Sequence, residues 1–203
     1  MKLLGRRDAA NVQKVLWCLS ELGLAAEQEN YGGSYGRTAE AAYLAVNPTG
    51  KVPTLIDAGV SIWESNTILR YLCNAYDAGS WYPQDPVRRT STERWMDWQL
   101  AALWPGFMPL FIGLRRERRP LSALQALLVQ AQAQMALLDR ELARHEYLAG
   151  IEPTLAEIAV GPFVHRWFEL DIPREPLPHL EAWYQRLTTR AGFRRHVMGL
   201  EEE

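Results

Sequence analysis

Asn47–Leu55 reads NPTGKVPTL, and Glu64–Ser65–Asn66 opens an apolar helical pattern a short hairpin's length later. Val52–Pro53 falls where a turn runs into the strand-like Thr54–Leu55–Ile56. A proline entering a strand gives up a ladder donor. It is accommodated when its peptide is cis in a tight functional turn, so Pro53 is expected to be cis. Val52 then offers its backbone N–H and C=O to something extended lying beside it. Glu64 and Ser65 stand at a helix start, where unpaired N–H groups favour an anion. Each motif alone is an ordinary X-Pro turn or a capped helix. Their order and spacing predict a slot for a peptide-like ligand, with backbone pairing at Val52 and a carboxylate held at Ser65.

Outward from this stretch the pattern is mixed, then helical. Lys2–Leu4 and Glu27–Tyr31 are strand candidates, and Asn11–Leu22 is helical, with Val12, Val15, Leu16, Leu19 and Leu22 at three- and four-residue spacings. Gly23 ends that helix. A short helix is expected at Glu40–Ala45. Thr54–Asp57 and Val60–Trp63, joined by Ala58–Gly59, predict an antiparallel hairpin, and Ser65–Tyr76 predicts a helix. The order β-α-β-α-β-β-α is that of a thioredoxin-like layer, an open sheet covered by helices. Residues 1–77 are assigned to this α/β domain. Residues 78–88, with Gly79, Pro83 and Pro86, are read as a linker. Residues 89–203 are read as an all-helical domain: Thr92–Leu103, a segment interrupted by Pro105 and Pro109, then Leu121–His145, Leu155–Phe168 and Leu177–Thr189.

Composition narrows the function classes. The chain has 203 residues, 48% apolar and 10% aromatic, enough for a substantial core. A formal charge of −2 gives no electrostatic reason to expect nucleic acid or a membrane surface. The run Arg115–Arg119 reads as a solvated helix end, and Glu201–Glu203 as a frayed tail. Cys18 and Cys73 are far apart in sequence, with no C-x-x-C and no metal-ligand spacing. They are read as buried, inert thiols, so neither a dithiol redox centre nor a metal is expected. No uninterrupted apolar run approaches the ~18 residues of a membrane span and no signal-type segment opens the chain, so a cytoplasmic location is expected.

These residues resemble the glutathione-binding half of a cytosolic glutathione S-transferase. The likeness extends over nearly the whole chain. Gly5–Leu24, GRRDAANVQKVLWCLSELGL, is similar to the opening of bacterial members, and Tyr147–Trp167, YLAGIEPTLAEIAVGPFVHRW, to part of their second half. The resemblance implies a thioredoxin-like domain followed by a helical domain. It also implies a homodimer that takes glutathione and a small apolar electrophile, with a role in detoxification. In such a site Ser65 takes the γ-glutamyl carboxylate and Glu64 sits near the ammonium. Val52 pairs with the cysteinyl backbone ahead of Pro53, and Lys51 meets the glycyl carboxylate or is merely solvated.

The group that would act on the thiol is where the chain departs from its relatives. A thiol of pKa ~8.5 is only a few per cent ionised at neutral pH, and lowering it by about two units takes roughly 2.7 kcal/mol. Many relatives carry serine in the first turn. Here Ala9 and Ala10 occupy those positions, and Asn11 follows. The Asn11 amide can donate to a thiolate or can simply cap the helix, and both readings stand. Tyr31 and Tyr35 are read as packing residues and Arg7 as exposed. Trp98, Trp104, Phe107 and Phe111 line an apolar electrophile pocket in one reading and belong to the core in the other. Thr154–Glu157 matches a capping box, where the family usually has Asp in place of Glu157. The alanines leave a second functional reading open, a glutathione- or apolar-ligand-binding protein with little turnover.

Overall fold

The computed structural model describes residues 1–76 and 78–200. Asp77, the last position assigned to the α/β domain, and the expected C-terminal tail lie outside the described residues. The chain forms two compact units, Met1–Tyr82 together with the segment from Arg190 onward, and Pro83–Thr189.

In the first unit, β1 (Lys2–Leu4), α1 (Ala10–Glu21), β2 (Glu27–Glu29), α2 (Ala41–Leu44), β3 (Thr54–Asp57), β4 (Val60–Trp63) and α3 (Ser65–Ala75) follow in the predicted order. The strands lie in the order β2-β1-β3-β4. β1 runs parallel to β2 and antiparallel to β3, and β3–β4 is an antiparallel hairpin with Thr54 opposite Trp63. The hairpin closes through Ala58 and Gly59 at φ 47° and 80°. Positive φ at both turn residues matches the twist of the flanking strands. α1 and α3 pack together, burying Val12, Val15, Leu16, Ile68, Leu69 and Leu72. Cys18 and Cys73 meet inside this interface. Their mutual hydrogen bond, reinforced by burial, pushes the Cys18 thiol well up, the condition of an inert thiol.

Two boundaries differ from the sequence expectation. The segment 78–88 is not all linker, because α4 (Pro86–Trp98) already begins at Pro86. Asp85 caps it, its Oδ1 accepting from Arg88 N–H at 2.8 Å. A proline in the first helical turn is a start signal, since its missing donor has no partner there anyway. The second difference is at the C-terminal end. Residues 190–200 belong with the α/β unit, not with the helices that precede them. Here α9 (Ala191–Phe193) sets Phe193 edge-on to Trp17 with ring centroids 4.9 Å apart. Arg190 grips Glu21 with two hydrogen bonds of 2.8 and 2.7 Å, and Trp17 donates to the same carboxylate at 2.7 Å. A Cβ on Gly192 would stand 2.9 Å from Trp17, so glycine permits the close approach.

The second unit is helical: α4, a π-helical turn at Gln99–Leu103, α5 (Trp104–Arg115), α6 (Gln125–Leu142), α7 (Leu155–Phe168) and α8 (Pro178–Thr188). α7 is its centre, buried from Leu155 through Trp167. A helix buried at both ends must satisfy its terminal backbone groups from within the protein. Thr154 and Glu157 complete the capping box at its start. Thr154 Oγ1 accepts from Ala156 N–H at 3.2 Å, and Glu157 accepts from Thr154 N–H at 2.7 Å. The other Glu157 oxygen accepts from Leu148 N–H at 2.7 Å, tying down the preceding loop. At the far end Arg174 donates to the carbonyls of Trp167, Phe168 and Leu170. α8 has no capping side chain of its own; Asp139 of α6 accepts from His179 and Leu180 N–H at 2.9 Å each. The helical stretch Leu121–Leu142 is long and apolar enough to cross a membrane by length and composition. Glutamines, Asp139 and Arg140 break its surface, and its apolar stripe, Leu128 to Leu142, is buried in the unit, the pattern of a core helix.

Thr154→Ala is expected to lower stability by about 1 kcal/mol, a fall of a few degrees in Tm. Thermal unfolding measures the loss, and ligand binding by the first unit should be unchanged.

Candidate functional site

The ligand edge of the first unit is built by Asn47. Its buried amide donates to Lys51 O at 2.8 Å and Thr54 Oγ1 at 2.9 Å, and accepts from Thr49 N–H at 3.0 Å and Thr49 Oγ1 at 2.7 Å. Tyr43 of α2 touches the same two oxygens, at 2.6 Å to Lys51 O and 2.9 Å to Thr54 Oγ1. Gly50, at φ 63°, makes the turn. The loop is thereby clamped on both sides of Val52. The Val52–Pro53 peptide is cis. Val52 makes no backbone hydrogen bond among the described residues. It sits against Gly5 and Gly32, where a Cβ would come within 3.3 Å of its side chain. Lys51 is exposed, with its ammonium in solvent.

Because Thr54 pairs with Trp63, the continuation of the hairpin brings Val52–Pro53 and Glu64–Ser65 to the same end. Glu64 is exposed and precedes α3 at φ 67°, ψ 114°. A non-glycine residue held there costs about 1–3 kcal/mol and commonly marks a functional position. Ser65 opens α3 and is buried. Its hydroxyl oxygen accepts from Lys14 Nζ at 2.9 Å.

Lys14, on α1, has no solvent exposure. Burial drives its pKa down to about 7, a fall partly resisted by Glu64 and assisted by Arg70. Its Nζ also donates to Asn11 Oδ1, at 3.5 Å. Sequence reasoning passed over Lys14. In Val12–Leu19 it stands beside Gln13 at the head of an apolar stretch, the place of an ordinary solvated lysine.

Asn11 is not the cap of α1. That position is Ala9, which makes no side-chain capping bond, and Asn11 lies in the first turn. With Oδ1 turned to Lys14, its NH₂ is turned away from that lysine. The N–H groups of Ala10 and Asn11 have no backbone acceptor among the described residues. Arg7 is exposed and bonded to Gln28 at 2.9 Å. Tyr31 packs, stacked on Tyr43 and beneath Arg37. Tyr35 does not: it is 52% exposed on a glycine-flanked turn.

The four aromatics expected to line an apolar pocket all lie in the helical unit. Phe107 is fully buried, packed on Trp167 at 6.2 Å and Phe111 at 6.0 Å, and so belongs to that unit's core. Trp98 lies edge-on to Trp95, and Trp104, 38% exposed, edge-on to Phe163.

Residues 1–74 match the family model of the glutathione S-transferase N-terminal domain, and residues 122–186 that of the C-terminal domain. The chain is 39% identical over 201 residues to glutathione S-transferase GstB of Escherichia coli K12, covering 97% of each. The chain belongs to the glutathione S-transferase family. It is also 33% identical over 163 residues to mouse glutathione S-transferase theta-1, covering 74% of this chain and 67% of that one. Among solved structures, a theta class glutathione S-transferase of Xanthomonas axonopodis pv. citri with glutathione bound superposes with a TM-score of 0.92. The two are 42% identical, over 97% of this chain and 96% of that one.

Glu64→Gly tests the strain at the head of α3. Relief of the positive φ outweighs the added chain entropy of glycine, so stability should rise by up to about 1 kcal/mol. Binding of a ligand ammonium should weaken. Denaturant unfolding and calorimetry on the same sample read the two effects separately.

Proposed function

We propose that the protein is a glutathione transferase that holds glutathione on its α/β unit and ionises the bound thiol for attack on an apolar electrophile or for disulfide or peroxide reduction. The observation that carries this reading is the convergence, at one end of the β3–β4 hairpin, of an unpaired Val52 backbone and a buried Ser65 at the start of α3. An extended tripeptide with a carboxylate at each end fits that arrangement. The cysteinyl backbone pairs with Val52 beside Pro53. The γ-glutamyl carboxylate takes the Ser65 hydroxyl and N–H at the positive end of α3, with Glu64 facing the ammonium. Lys51, exposed at the surface, meets the glycyl carboxylate by charge alone.

On this reading the sulfur lies at the start of α1. No hydroxyl is there, since Ala9 and Ala10 hold the serine positions. The Asn11 amide, the N–H groups of Ala10 and Asn11 and the helix dipole remain. Neutral donors stabilise a thiolate less than a cation does, so the thiol pKa falls only modestly. Trp98, Trp104 and Phe111 supply the apolar surface for the electrophile. The working form is a cytoplasmic two-fold homodimer without a metal. The alanines favour one other reading, a ligand-binding protein with little turnover, and parallel assays with an activated aryl halide and a disulfide substrate separate the two.

Ser65→Ala should weaken glutathione binding by about 1.5–3 kcal/mol, the range for a charge-assisted hydrogen bond. Calorimetry showing unchanged affinity in a folded variant would remove the carboxylate from Ser65.

Asn11→Ala should raise the pH midpoint of the bound thiolate's ultraviolet absorbance and slow turnover, with little change in affinity. Ala10→Ser should act in the opposite direction and increase the transferase rate. Unchanged midpoints in both variants would show that the first turn of α1 does not face the sulfur.

A further inference from the structure

A lysine ammonium has three donors and no acceptor, so whatever it touches is fixed in hydrogen-bond sense. Lys14 Nζ touches Ser65 Oγ at 2.9 Å and Asn11 Oδ1 at 3.5 Å. Once Ser65 Oγ accepts from Lys14, the hydroxyl proton turns away from the lysine to donate elsewhere. Once Asn11 Oδ1 faces Lys14, its NH₂ must face the opposite way. A single buried cation thereby orients one donor on α3 and another on α1. We propose that Lys14 is a positioning residue of the glutathione site, aiming the Ser65 hydroxyl at the γ-glutamyl carboxylate and the Asn11 amide at the sulfur. This rests on the glutathione reading above and assigns Lys14 no contact with the ligand.

Burial of a cation is expensive unless it is compensated, and a methionine of similar length would fill the same space. Lys14 instead sits fully buried with its charge in balance near neutral pH. Titratable groups reach this region from each neighbouring element. Glu64, ahead of α3, favours the ammonium, and Arg70 of α3 opposes it. The C-terminal segment packed on α1 brings Arg195 and His196. Burial, then Arg195 and Arg7, holds His196 down to about 4, so it adds no charge at neutral pH.

A carboxylate arriving at Ser65 adds a negative charge one hydroxyl away and favours the ammonium. Binding then draws a proton from solvent onto Lys14. The sign follows directly: the ligand prefers protonated Lys14, so affinity is full below the free-state value near neutrality and declines as pH rises through it.

The test uses S-methylglutathione, which has no ionisable thiol, and the intact protein. Isothermal calorimetry in two buffers of different ionisation enthalpy counts protons, and affinities are measured between about pH 6 and pH 7.5, where about a fourfold fall is expected. Net proton uptake should accompany binding. Lys14→Met should bind more weakly at low pH, with a flat profile and no uptake from this source. With glutathione itself, Lys14→Met should also raise the thiolate midpoint, and Lys14→Gln, which keeps a donor but no charge, should restore part of the affinity and none of the uptake. Binding by the wild type with a flat profile and no uptake overturns the proton linkage, and wild-type affinity with an unmoved thiolate midpoint in folded Lys14→Gln overturns the positioning role, each while leaving the glutathione reading intact and each even if Lys14→Met fails to fold. No binding at any pH overturns the glutathione reading and this inference with it.

Discussion

The amide of Asn47 is the constraint on which the ligand edge depends. Between α2 and β3 the chain must reverse and present Val52 outward, through a loop in which Pro48 and Pro53 supply no backbone donors. Asn47 uses its full hydrogen-bonding capacity inside that loop, two donors and two acceptor positions, while buried. A buried amide left partly unmatched costs about 1–3 kcal/mol per group, so the loop has one conformation in which nothing is lost. Tyr43 bonds the same two oxygens and is itself buried. The clamp is therefore double, and the backbone on either side of Val52 is held by two buried side chains.

Both units were legible wherever period and punctuation agreed. Val12 to Leu19 at helical spacing gave α1, Ala58–Gly59 between two short runs gave the hairpin, and Thr154-Leu-Ala-Glu157 gave the start of α7 to the residue. Prolines misled where they were read only as breakers. Pro86 begins α4, where a missing N–H has no cost, and Pro105 follows a π-helical turn through which the helix continues into α5. The return of residues 190–200 to the α/β unit had no local signal, because Phe193 and Arg190 find Trp17 and Glu21 across most of the chain. Long-range pairing of this kind carries no periodicity.

The site divides along the same line. Val52, Glu64 and Ser65 announced themselves through turn and cap chemistry, which is local. Lys14 did not, because a lysine in an amphipathic pattern is ordinarily the solvated face. Only the packing of α1 on α3 turns it inward, onto Ser65 fifty-one positions away. Tyr35 shows the converse. Its aromatic ring suggested packing, yet flanking glycines at positive φ carry it out into solvent.

The two alanines ahead of Asn11 change the electrostatic problem more than the geometry. A serine hydroxyl there would give one donor to the sulfur. Without it, on the proposed function, the positive end of α1 acts through the N–H groups of Ala10 and Asn11, donors fixed by the backbone that no side-chain substitution can withdraw. Such donors cost no reorganisation when charge develops. Each helix terminus contributes about half a unit charge, felt within its first turn. The starts of α1 and α3 each offer one, and Lys14 lies buried between Asn11 and Ser65 at those two starts. Positive potential is thus concentrated at the starts of α1 and α3, where the proposed function places a thiolate and a carboxylate, and on that reading the lost hydroxyl removes one contribution among several.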